Sequence, residues 1–213
     1  MKYKLITVEG NTGAGKTSLA KMLTQEYQAK LILEEFADNP FLPKFYKEPK
    51  QYAFTTELYF MADRYQQLSQ LLSNNELDKK EVFITDYLFN KSLLYAEVTL
   101  EADEFQLFAR LFNLIYSRIP KPDLIVYVHS TIDRLVQNIQ KRGRDFEQSV
   151  RREYLQQVEN IYFNYFKENA NLRILILEAD EIDFVHNEQH YQQILAHLEK
   201  EYEPGMHFIK FDI

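Results

Sequence analysis

The sequence predicts an α/β fold in three layers, a five-stranded parallel sheet flanked by helices. Three observations predict it. Apolar runs of strand length recur along the chain, bounded by polar or turn residues. The stretches between them place apolar residues at three- and four-residue steps, the helical period. Three of the five glycines, Gly10, Gly13 and Gly15, fall in one loop between the first strand and the first helix. Strands alternating with helices in this way make a parallel sheet with crossover connections.

Taken in order, Tyr3–Glu9 is aliphatic and β-branched, and Gly10 closes it as a buried strand. From Lys16 the pattern turns helical through Leu19, Ala20, Leu23 and Tyr27. Leu31–Leu33 is the second strand. A long helix from about Lys50 to Leu72 follows, with Phe54, Leu58, Met61, Tyr65, Leu68 and Leu72 as one apolar stripe. Val82–Ile84 is the third strand. Leu88–Ala96 and Phe105–Ile115 are helical with apolar residues on more than one face; Leu107, Phe108, Leu111, Phe112, Leu114 and Ile115 exceed what a helix wetted on one side needs. Two explanations stay open: a homodimer through the helices around 88–118, or burial within one fold. Pro120 and Pro122 stop the helix before the fourth strand, Leu124–Val128, and Ile174–Leu177 is the fifth. The tail after Tyr202 receives no element. With no repeat and no linker, residues 1–213 read as one domain.

At 213 residues and 46% hydrophobic, the chain can bury a sizeable core. Its 25 Lys and Arg against 32 Asp and Glu leave a net charge of −7, which disfavours coating a nucleic acid polymer but permits a local phosphate site. The lack of cysteine excludes disulfides, thiolate zinc sites and cysteine nucleophiles. No apolar run approaches the roughly 18 residues that span a bilayer. The chain also opens on a strand pattern rather than a signal peptide, so the expectation is a cytoplasmic protein with no membrane partner.

The glycine-rich loop explains itself. Gly10-Asn-Thr-Gly-Ala-Gly-Lys16-Thr17 matches G-x-x-x-x-G-K-[ST] between a strand and a helix, the context this phosphate-binding P-loop requires. Successive N–H groups of such a loop point inward, and the following helix presents its positive end. Lys16 supplies a mobile charge for the β and γ phosphates, and the Thr17 hydroxyl can ligate Mg²⁺. Gly10, Asn11, Thr12, Gly13, Ala14, Gly15, Lys16, Thr17 and Ser18 are thus the candidate ATP site. A guanine-nucleotide switch would carry Asn-Lys-x-Asp, but Asn90-Lys91 is followed by Ser92-Leu93. Arg142 and Arg144 flank Gly143 and make a flexible clamp suited to a phosphoryl group in transfer.

With these pieces in order, the chain resembles the deoxynucleoside kinases, particularly the bacterial purine deoxynucleoside kinases, from the first strand to about residue 185. The resemblance is carried by GNTGAGKT, the segment Glu34–Tyr46, the helix bearing Glu57 and Arg64, Asp86 after the third strand, and Arg142–Glu147. It implies that Glu34, at the tip of the second strand, is the base for a nucleoside 5′-hydroxyl, with neighbouring Glu35 as rival on the opposite face. It implies that Tyr46 and Glu147 bind the sugar 3′-hydroxyl, that Asp86 lies near Mg²⁺, and that Asp183-Phe184 forms the adenine-side loop for ATP. Glu57 and Arg64 lie two helical turns apart and so on one side of the helix, and the resemblance implies that they face the base. Much of the family has glutamine at Glu57. A carboxylate accepts only, matching the N1–H and N2 amino donors of guanine, so deoxyguanosine is favoured over deoxyadenosine.

Two departures from the family stand out. Tyr87 replaces an arginine that follows Asp86, with Lys91 one turn on as a substitute charge, and Asn138 replaces an arginine that contacts the donor adenine. The implied reaction is 5′-phosphorylation in nucleotide salvage, with Lys16, Arg142 and Arg144 stabilising the transferring group. The alternatives are a nucleoside monophosphate kinase of the thymidylate type and a non-catalytic nucleotide-binding subunit.

Overall fold

Leu5–Gly10 forms β1, and all six residues are buried, because aliphatic side chains on both faces suit only the centre of a sheet. The structure, a computed structural model, describes residues 2–34, 39–73, 81–144, 147–148 and 150–211. Glu35, Phe36–Asp38, the Leu72 side chain and Asp145-Phe146 lie outside the described residues. β1 is flanked by β3 (Phe83–Thr85) and β4 (Leu124–His129), and the full order is β2-β3-β1-β4-β5-β6, with β2 Lys30–Ile32, β5 Arg173–Glu178 and β6 Gly205–Ile209. Every pairing is parallel, with Ile6 opposite Ile84 and Val8 opposite Val126.

The sheet therefore has six strands among the described residues, not five. The sixth comes from the tail after Tyr202, whose alternation of Met206, His207 and Phe208 is too mixed to read as a strand. It pairs along the outer edge of β5, with Leu175 opposite His207, and Phe208 stays exposed there. An edge strand supported by one neighbour needs little apolar sequence, so it left little signal.

Helices cover both faces. Along β4, Leu124, Val126 and Val128 join one core with α1 (Lys16–Glu26), α6 (Ile132–Arg142) and α8 (Glu188–Leu198). Ile125 and Tyr127 point the other way, onto Val158, Tyr162 and Phe166 of α7 (Arg152–Glu168). This is the two-residue alternation of a strand covered on both sides. A third cluster packs α3 (Pro49–Ser73) and α5 (Ala102–Tyr116) over Leu5 and Phe83.

α4 (Lys91–Thr99) answers part of the open question about its segment. Leu94 and Ala96 are buried in the core, while Lys91 and Tyr95 face an internal cleft, so its apolar character is used within the fold. α5 differs: Phe108 and Phe112 face inward, but Leu107 and Leu114 are 49% and 73% exposed. No helix among the described residues is long and apolar enough to cross a membrane.

Candidate active site

The cleft opens at the carboxyl ends of β1, β2 and β3, where the chain's crossovers change direction across the sheet. Lys16, Glu34, Tyr46, Glu57, Arg64, Asp86, Arg142, Arg144 and Glu147 all line it. Every catalytic and acceptor-side residue expected from the sequence is therefore in one place.

The phosphate loop is shaped by close packing. Gly13 has φ +88°, and a Cβ there would stand 2.8 Å from the Leu135 carbonyl of α6. Gly15 has φ +92°, and the Phe184 ring fills the space beside it at 3.1 Å. Both positions need glycine for conformation and for room. Asn11 ties the loop to α7 through a hydrogen bond from its amide to the Leu155 carbonyl at 2.7 Å, and its Oδ1 accepts from the Thr12 N–H. Lys16 donates to the Asn11 carbonyl at 3.0 Å. α1 has no acidic residue in its first turn and no side-chain cap, so its terminal N–H groups are left for an anionic ligand. Burial, then the nearby Lys91 charge, pushes the Lys16 ammonium down to about 8. Ser18 is exposed on α1 and does not line the cleft.

Asn138, the departure from the family arginine, donates to the Gly13 carbonyl at 2.9 Å and so braces the loop. Asp183 and Phe184 do not line the cleft. Phe184 is buried under the loop against Gly15, and Asp183 accepts from the Val185 and His186 N–H groups of its own turn. The contact of Phe184 with the phosphate loop is mechanical support.

Glu34 sits just past β2, and its N–H donates to Asp86 Oδ1 at 2.7 Å. Its carboxylate is gripped from two sides. Arg64 Nε donates to Oε1 at 3.0 Å and Nη2 reaches the same oxygen, while Lys91 Nζ donates to Oε2 at 2.9 Å. Burial opposes the charge, but Lys91 and Arg64 outweigh it and hold the carboxyl well below the ordinary range. Arg64 also donates to Ser92 Oγ at 2.6 Å and stacks over Phe60 and Tyr87. Tyr87 thus supports the guanidinium from behind, and its hydroxyl donates to Gln67 Oε1 at 2.7 Å. Lys91 stands where a charge missing at Tyr87 would be wanted.

Asp86 Oδ2 accepts from the Thr17 hydroxyl at 2.6 Å. Two hard oxygens side by side at the phosphate loop suit Mg²⁺, which takes one or two protein oxygens and completes its shell with phosphates and water. Among the described residues no cluster of three or more metal-ligating side chains exists that could hold a cation.

At the mouth, Glu147 is buried and holds both arginines, Arg142 Nη2 at 2.5 Å and Arg144 Nη1 at 3.0 Å. Tyr46 lies near it; burial first, then the Glu147 charge, raises the phenol above its usual range. At the far end, Glu57 is only 3% exposed and makes no hydrogen bond or ion pair with any described residue. Burial pushes its carboxyl up to about 8, outweighing the opposite pull of Arg64 and Lys91. Where the sequence leads one to expect a carboxylate, burial without a partner favours the neutral acid in this open cleft near pH 7.

Several lining residues escaped the sequence reading: Thr56, Phe60, Tyr95 and Tyr154 form walls around the base end. Their only signal was a surplus of apolar and aromatic residues on α3, α4 and α7, which looked like core. Glu9 was also missed. It is fully buried under the loop and accepts from the Gly10 and Leu88 N–H groups at 2.9 Å, linking β1 to the turn after β3.

A model of the deoxynucleoside kinase family matches residues 6–202. A deoxyguanosine kinase of Bacillus subtilis (strain 168) is 35% identical over 92% of this chain and 96% of its own length. A deoxyadenosine kinase of Lactobacillus acidophilus is 30% identical, covering 92% of this chain and 95% of its own. Among solved structures, deoxyadenosine kinase from M. mycoides with dCMP and dCDP bound superposes with TM-score 0.79 at 22% identity, over 91% of this chain and 98% of that one, which supports the fold. The chain belongs to the deoxynucleoside kinase family, whose members are phosphotransferases.

Proposed function

We propose that the chain transfers the γ-phosphoryl group of ATP, taken as its Mg²⁺ complex, to the 5′-hydroxyl of a purine deoxynucleoside, deoxyguanosine ahead of deoxyadenosine, as a salvage reaction. The observation that carries this reading is Glu34, fixed between the phosphate loop and the aromatic-walled far end of the cleft. A carboxylate held so far below its usual range is a weak proton acceptor. It serves first to fix the 5′-hydroxyl by accepting its hydrogen bond, and the proton leaves late, as suits a loose phosphoryl-transfer transition state. Lys16, Arg142 and Arg144 stabilise charge on the transferring group. Thr17 and Asp86 would hold Mg²⁺, which supplies charge neutralisation on the phosphate oxygens. Closure of the Arg142–Arg144 segment excludes water and suppresses hydrolysis.

Tyr46 and Glu147 receive the sugar 3′ side, and a tyrosine packed there disfavours a ribose 2′-hydroxyl. Guanine is favoured because its adjacent N1–H and N2 amino donors meet both oxygens of Glu57. Ionising a group with a pKa of about 8 at pH 7 costs about 1.4 kcal/mol, less than two charge-assisted hydrogen bonds contribute. A monophosphate acceptor is disfavoured, since Arg64 and Lys91 on the acceptor side are already paired with Glu34. The exposed Leu107 and Leu114 on α5 support a homodimer through this helix.

The test is ADP formation dependent on added deoxynucleosides, with ATP and GTP as donors and dGMP and dTMP as rival acceptors. Glu34→Ala and Lys16→Ala are expected to stay folded and to lose at least about a hundredfold in kcat/KM. Near-normal turnover in either variant rejects the assignment.

A further inference from the structure

Glu57 is an unusual group to leave without a partner. The residue is only 3% exposed, lines the base end of the cleft, and makes no hydrogen bond or ion pair with a described residue. Beside it the Thr56 hydroxyl is also buried and unpartnered. A buried polar group without a partner is destabilising, so it is kept where a ligand completes it. The rest of that chamber is mainly apolar and aromatic, from Phe45, Phe60, Tyr95 and Tyr154. Glu57 is therefore the main hydrogen-bonding reader of the base, and its hydrogen-bonding pattern changes with one proton.

The two protonation states read different edges. The carboxylate offers two acceptors, which match N1–H and the N2 amino group of guanine and repel the lone pair at adenine N1. The neutral acid offers one donor and one acceptor, which match adenine N1 and its 6-amino group. The same neutral pair also matches guanine O6 and N1–H, one ring position along the edge. We infer that the proton on Glu57 sets the purine range of the site: the neutral acid admits both purines, and the carboxylate admits guanine and excludes adenine. This rests on the proposed nucleoside-kinase reading and adds to it a control on specificity.

The charged surroundings permit such a switch. Arg64 faces Glu57 along α3, Lys91 and Tyr95 from α4, Tyr154 from α7, and Glu34 from beyond β2. Tyr46, Arg142, Arg144 and Glu147 close the same cleft. Glu34 is held low by its two cations, Lys91 and Arg64 are held high by Glu34, and the three tyrosines are raised above their usual range. None of these six groups changes charge between pH 6.5 and 8.5. Lys16 does titrate there, but it serves the phosphate donor and weighs equally on both acceptors, so it cancels in a ratio of the two.

The experiment measures kcat/KM for deoxyadenosine and deoxyguanosine with one ATP concentration between pH 6.5 and 8.5. Deoxyadenosine needs the proton, so the guanosine-to-adenosine ratio is expected to rise about fourfold across this range. Glu57→Gln keeps one donor and one acceptor with no titrating proton, so its ratio of the two nucleosides is expected to be independent of pH. A flat ratio in the wild type, or an equal rise in Glu57→Gln, overturns the inference while leaving the kinase reading intact. Turnover of neither nucleoside by the wild type overturns the kinase reading, and the inference with it.

Discussion

Lys91→Met removes a charge and keeps most of the stem, leaving Glu34 with Arg64 as its sole close counter-ion. At 2.9 Å and an effective dielectric constant of 20, the lost attraction is about 6 kcal/mol. Much of that is returned, because a buried ammonium no longer needs to be desolvated. Breaking a buried pair typically costs 3–5 kcal/mol when a charge is left uncompensated. Arg64 still compensates Glu34, so about 2–3 kcal/mol of lost stability at pH 7 is expected.

The same interaction sets the proton affinity of Glu34. Losing about 2–3 kcal/mol raises its pKa by about two units, back towards the ordinary carboxylate range. The sign follows. A depressed folded pKa contributes stability that is present above the unfolded value, 4.5, and is lost as pH falls through the folded value. The stability gap between wild type and variant should therefore narrow as pH drops below that value. In nucleoside-dependent ADP formation at pH 7.5, kcat should fall about tenfold, and the acid limb of the variant should lie below pH 4.5 yet at higher pH than that of the wild type. Unchanged turnover with an unchanged pH profile would refute the idea that Lys91 sets the electrostatics of Glu34.

Glu147→Ala should raise KM for deoxynucleosides and lower kcat/KM at least about tenfold. A 2′,3′-dideoxynucleoside should lose much less, since its missing hydroxyl already forfeits the Glu147 contact; equal losses for both substrates would remove Glu147 from sugar binding. Gly13→Ala forces a non-glycine residue to φ +88° and drives its Cβ against a backbone carbonyl at 2.8 Å. About 2–4 kcal/mol of destabilisation is expected, or roughly 5–10 °C in Tm, with loss of thermal protection by ATP. A Tm close to wild type, with protection retained, would show that the loop relaxes around the added methyl group.

Elements with strong local pattern were legible. β1, β4 and β5 are continuous apolar runs because strands buried on both faces leave no polar alternation. The phosphate loop was legible for a related reason. Its backbone conformation and close packing restrict residue type at each position, so the requirement is written into consecutive residues. Glu34 and Asp86 were legible as carboxylates just past strand ends.

The grip on Glu34 was not, because Arg64 and Lys91 come from helices 30 and 57 residues further on. No local pattern records which two distant cations converge on one carboxylate. The edge strand β6 was missed because it depends on β5 for its hydrogen bonds rather than on its own apolar content.

The linear order of residues was thus sufficient for the alternating α/β layers, the nucleotide loop and the kind of chemistry, since each of these is a local constraint on conformation or residue type. The burial of Glu57 at the end of the cleft, the pairing of Glu147 with both arginines and the use of Tyr87 as a platform for Arg64 were decided only by folding. They depend on burial and on the spacing of charges from different elements, and those quantities exist only once the chain has brought the elements together.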